Sequence, residues 1–168
     1  FPPDKIPPHI KEKFNKAISW LQKAIEILRD GEQKTDLEMA YTNLSGCRIA
    51  IGLYDEAITA AEEAAAIDPK SAVSFLNRGV AQLKLGRCQD AIKSLQSYKN
   101  LGGTDTDVEK HIAFCSLKTS DLQTAERLIS TSLENSPELD LDMAELAIDL
   151  YSRKLDNEKL NPLLEKLE

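Results

Sequence analysis

The stretch that decides the fold is Glu38–Ser71, EMAYTNLSGCRIAIGLYDEAITAAEEAAAIDPKS, because its small residues return downstream at a fixed interval. Ala57, Ala91 and Ala125 are spaced by 34 residues (91 − 57 and 125 − 91). The same step relates Gly52, Gly86 and Ser120, then Ser45, Gly79 and Ala113, then Pro69, Gly103 and Pro137. Ala64 is followed at that interval by Tyr98 and Ser132, and Asn43-Leu44-Ser45-Gly46 returns as Asn77-Arg78-Gly79-Val80. Several columns recurring in phase define an internal repeat.

Each repeat reads as two antiparallel helices. The small residue of the first helix (Ser45, Gly79, Ala113) permits close approach of a neighbour. Gly52 and Gly86 supply a tight turn, where a left-handed backbone is cheap for glycine. The alanine column opens the second helix, and Pro69 and Pro137 stop it, since proline lacks the amide donor and clashes with the preceding turn. One such pair cannot bury its apolar face, so the repeats must stack.

These residues resemble those of tetratricopeptide repeat proteins. Residues 38–71 fit best, through Tyr41, Leu44, Ser45, Gly52, Tyr54, Ala57, Ala64 and Pro69. Residues 72–105 match at Phe75, Gly79, Gly86 and Ala91, with Arg78 where the family has Leu and Gly103 for the terminal Pro. Residues 106–139 form a degenerate third repeat, with Glu109 for the aromatic and Ser120 for the turn glycine, so a looser first helix is expected there. The resemblance implies an all-α fold, a right-handed superhelix of antiparallel helix pairs.

Beyond the three repeats, residues 1–9 are an extended Pro-rich segment whose Phe1 reads as a processed or excised start. Residues 10–30 hold an amphipathic helix with Ile10, Phe14, Ile18, Leu21, Ile25 and Leu28 on one face. Ala17, Trp20, Ala24 and Ile27 widen that stripe and predict contacts on two sides; the Ala17–Ala24 spacing equals Ala57–Ala64, as in the second helix of a cut or decayed repeat. Residues 140–168 read as a partial fourth repeat, with Met143, Leu146, Ala147 and Leu150 on its first helix. Asn161-Pro162 reads as the cap and first position of a short last helix.

The 168 residues carry 21 basic and 28 acidic side chains, a net charge of −7, which argues against a non-specific grip on nucleic acid or anionic lipid. No apolar run reaches the roughly 20 residues of a membrane span. Cys47, Cys88 and Cys115 form no C-x-x-C pair, and only His9 and His111 could join them in a metal site; they read as reduced structural thiols of a cytoplasmic protein. With no phosphate-binding glycine loop and no nucleophile–base set, neither an enzyme activity nor a cofactor is expected.

What remains is binding. The resemblance implies that the first helices line a concave groove, with Met39, Asn43, Ile49, Leu76, Asn77, Val80, Leu83, Lys84, Lys110, His111, Phe114, Leu117, Lys118, Ile148 and Tyr151 on its wall. An apolar trough edged by Lys84, Lys110 and Lys118 fits an amphipathic helix or extended segment of a partner protein, acidic residues meeting the lysines. Asn43 and Asn77 share a column suited to holding an extended backbone. The chaperone-tail clamp known in the family, for Hsp70 and Hsp90, needs paired cations; here its positions are Thr42, Gly46, Asn77, Asp107 and His111, of which only Asn77 fits. Three readings stay open: an adaptor, a solenoid segment whose groove is filled by its own chain, and a client-shielding co-chaperone.

Overall fold

A computed structural model describes residues 5–135 and 140–167; Pro137 and the first four residues of the Pro-rich start lie outside the described residues. Among the described residues the secondary structure is α-helical, in nine segments. The chain divides into two compact units, Phe1–Thr104 and Asp105–Glu168. The first holds α1 (Pro8–Leu28), α2 (Lys34–Ala50), α3 (Tyr54–Ile67), α4 (Ala72–Lys84) and α5 (Cys88–Asn100). The second holds α6 (Asp107–Lys118), α7 (Leu122–Asn135), α8 (Leu141–Lys154) and α9 (Asn157–Glu165). No helix of the described residues is long and apolar enough to cross a membrane.

Both units use one packing scheme. Within each unit a first helix packs on its own second helix and that second helix on the next first helix: α2 on α3 and α3 on α4 in one unit, α6 on α7 and α7 on α8 in the other. Ala57, Ala91 and Ala125 are fully buried, as the repeat requires. Ser45 Oγ donates to the Ala57 carbonyl at 2.8 Å, tying α2 to α3 at the small-residue column. At the next repeat Gly79 gives that space to Leu95: a Cβ on Gly79 would stand 2.7 Å from Leu95 Cγ.

The turns inside the helix pairs are built alike. Gly52, Gly86, Ser120 and Leu155 all have positive φ (84°, 72°, 63° and 55°). After each, a backbone amide reaches back five residues: Leu53 to Arg48, Arg87 to Gln82, Asp121 to Ser116 and Asp156 to Tyr151, each at 2.9 Å. This is the Schellman closure, which satisfies carbonyls that a helix end leaves bare. The third repeat therefore keeps its turn without the glycine. Its first helix α6 runs unbroken and buries Val108, Ile112, Ala113, Cys115, Ser116 and Leu117.

One further expectation is revised. The last helix begins at Asn157, not at Asn161: the Asp156 side chain accepts from Lys159 N at 3.2 Å and makes the cap, leaving Pro162 exposed inside the helix. Arg78, in the column where Leu44 is buried, is accommodated by polar partners. Its Nε donates to Ser94 Oγ at 2.9 Å, Ser94 donates to Gln82 Oε1 at 2.7 Å, and its guanidinium lies 5.0 Å from the Phe75 ring centroid.

Candidate functional site

In the first unit, α2 and α4 are held side by side by hydroxyl chemistry. Buried Glu38 Oε1 accepts from Thr42 Oγ1 at 2.7 Å and Ser71 Oγ at 2.5 Å, and Thr42 Oγ1 lies 3.2 Å from Ser74 Oγ. Asn77 Nδ2 donates to the Thr42 carbonyl at 3.0 Å. That amide hydrogen is therefore engaged with the chain's own backbone, while Asn43 of the same column is exposed. Met39 and Val73, one repeat apart, are about half exposed (49% and 50%), and Leu76, Val80 and Leu83 are partly buried beside them on α4. Ile49 packs against Ala57, Ile58 and Ala81, and Lys84 is exposed at the end of α4.

In the second unit, α6 and α8 are joined by an ion pair. Lys110 Nζ lies 2.9 Å from Asp140 Oδ2, 3.2 Å from Asp107 Oδ1 and 3.8 Å from Asp142 Oδ2. The Asp140 carboxylate also caps α8, Oδ1 accepting from Met143 N at 3.2 Å. The Lys110 hydrogen bond, helped by the cap, holds the Asp140 carboxyl below the ordinary carboxylate range, and Asp140 with Asp107 raises Lys110.

Beside this pair opens a cavity of about 290 Å³ lined by Asp107, Lys110, His111 and Phe114 of α6 and Asp142, Glu145 and Leu146 of α8. Phe114 is 38% exposed, and Lys118 Nζ lies 5.3 Å from its ring centroid. Three carboxylates face one lysine that they already neutralise. The expected role of Lys110 as an orienter of acidic ligands is thus replaced: its charge is consumed within the unit, and the cavity is acidic.

Two residues expected on the wall lie in the core instead. Leu117 is 1% exposed and Tyr151 is 5% exposed. Tyr151 is covered from α9, where Lys159 Nζ stands 5.4 Å from its ring, and burial pushes its phenol above the ordinary range. Ile148 is partly buried. Ile49, Leu83, Leu117 and Tyr151 form one column at the repeat interval, partly buried at Ile49 and Leu83 and fully turned to packing at Leu117 and Tyr151. The open column is Met39, Val73, Asp107 and Leu141, which recur at the repeat interval and are all exposed.

The profile of the tetratricopeptide repeat matches residues 40–71. Among solved structures, BtubC (BKLC) from P. vanneervenii superposes with a TM-score of 0.68 at 17% identity, over 92% of this chain and 71% of that one. The pilF protein of Pseudomonas aeruginosa superposes with a TM-score of 0.63 at 16% identity, over 92% of this chain and 72% of that one. At such identities the likeness is one of fold. No curated protein matches the sequence.

Proposed function

We propose that this chain, whose residues 40–71 match the tetratricopeptide-repeat profile, docks a segment of another protein on its first helices and that no chemical step follows. The observation that carries this reading is the cavity between α6 and α8, lined by the exposed Phe114 and by Asp107, Asp142 and Glu145 around Lys110. A lysine or arginine of the partner suits it: the head meets carboxylates, and the aromatic face accepts a cation, as Lys118 already demonstrates. In the first unit, Met39 and Val73 offer separate apolar footholds for an amphipathic helix or an extended chain.

The partner is a protein or peptide that is basic at the second unit. The three cysteines, Cys88 and Cys115 buried and Cys47 partly so, fit thiols in a reducing compartment such as the cytoplasm. The test is a peptide selection on the full chain. Selected sequences should carry Lys or Arg, and the Asp142→Lys/Glu145→Lys variant should reject them. Selection of acidic sequences that bind the charge-reversed variant equally well contradicts the proposal.

A further inference from the structure

The second helices carry a stripe that their own first helix always covers. On α3 it is Ala60 and Ala64, packed with Ala40, Tyr41 and Leu44 of α2, and Ala57, packed with Ile49 of α2 and Ala81 of α4. On α5 it is Ala91, Ser94 and Tyr98, and on α7 it starts at Ala125 and Leu128; all are buried. Helix α1 has the same stripe in Ala17, Trp20, Ala24 and Ile27, with Ala17 and Ala24 standing where Ala57 and Ala64 stand on α3. It also makes the forward contact of a second helix, through Ile18, Leu21, Ile25 and Leu28 packed against the Tyr41–Leu44 cluster on α2. Its stripe is nevertheless open, Trp20 being 76% and Ile27 79% exposed.

The edge of that stripe is basic. Lys13, Lys16 and Lys23 follow the i, i+3, i+4 path that includes Trp20 and Ile27, and all three are exposed. Glu12, paired with Lys16 at 2.7 Å, is the one acid engaged there among the described ion pairs. A second copy packing α1 on α1 would set lysines against lysines. An acidic edge is complementary.

We propose that the Trp20 face of α1 docks an amphipathic helix of a partner protein, packed as α2 packs on α3 and carrying acidic side chains along one edge. The two small residues Ala17 and Ala24 let the incoming backbone approach, and Trp20 and Ile27 are the ridges it straddles. This surface is separate from the first-helix surfaces and does not depend on them.

Trp20 is the chain's only tryptophan, so its emission reports the face directly. The probe is a synthetic amphipathic peptide of about four helical turns, Leu and Ala on one face and Glu at the edges. A twin peptide has Lys in place of Glu. With the full chain, the Glu peptide should shift Trp20 emission to shorter wavelength and saturate. The Lys twin should bind at least about tenfold more weakly, and Ile27→Asp should weaken the Glu peptide by about tenfold or more. Lys13→Glu/Lys16→Glu should reverse the preference between twins, while Phe114→Ala should leave the titration unchanged. An emission that never moves with the Glu peptide, equal affinity for both twins, or a blue shift on concentrating the protein alone would overturn the proposal.

Discussion

Lys110 Nζ and Asp140 Oδ2 are 2.9 Å apart, and through this pair one side chain of α6 holds the residue that caps α8. Asp140→Ala removes both the cap and the partner of Lys110, and it should destabilise the protein by about 1–2 kcal/mol. Lys110→Met should cost less, because Asp140 keeps its bond to Met143 N. Urea denaturation of both variants checks the order.

Acid should weaken the second unit through three carboxyls held low: Asp121 by its hydrogen bonds with Thr124, and Asp140 and Glu126, which also stand to lose an ion pair. Asp140 is held low by Lys110, and Glu126 by hydrogen bonds from Lys154 and then Lys159. A carboxyl lowered in the folded state contributes stability above its unfolded pKa, near 4, and loses it as pH falls through the lower folded value. The lysine partners Lys110 and Lys159 are raised, so their share persists below the unfolded value near 10.4 and fades only at higher pH. Stability should therefore decline below about pH 4–5, and Asp140→Asn/Glu126→Gln should flatten that decline. Denaturant midpoints taken against pH test this, and a decline of unchanged steepness in the double variant contradicts it.

Gly79 leaves no room for a methyl group, its Cβ position falling 2.7 Å from both Cγ and Cδ2 of Leu95. Gly79→Ala should gain helix propensity yet lose about 1–3 kcal/mol net through overpacking. Pairing it with Leu95→Ala should relieve the clash, so thermal melts of the two singles and the double should be non-additive.

Ser120 occupies the left-handed region at φ 63°, where Gly52 and Gly86 sit without a Cβ. Ser120→Gly should stabilise the α6–α7 turn by up to about 1 kcal/mol, read as a raised melting temperature. Ser120→Val should do the reverse.

The architecture was legible because its determinants are local and repeated. Ala57, Ala91 and Ala125 are buried wherever helices pair, and Gly52 and Gly86 take positive φ because the Schellman closure requires it. The binding surface was less legible, because which side of a first helix stays open depends on its neighbours. Leu117 and Tyr151 look like wall residues in sequence but fall in the column that faces inward. Lys110 looks like a free cation, yet the fold brings Asp140, Asp107 and Asp142 to it. The exposed column Met39, Val73, Asp107, Leu141 carries the repeat interval too, and its uninterrupted exposure is the signal that marks it. Asp156 outcompetes Asn161 as the last cap because Leu155 has already closed the preceding helix.

Calorimetric titration of one selected basic peptide into the full chain, beside Phe114→Ala, tests the central claim most directly. Phe114 is 38% exposed, so its truncation should leave folding intact while removing the aromatic lining of the α6–α8 cavity. Loss of about 2 kcal/mol or more of binding free energy is the predicted result. Undiminished affinity in Phe114→Ala, with the fold retained, would contradict the assignment of the first helices of the second unit as a docking surface.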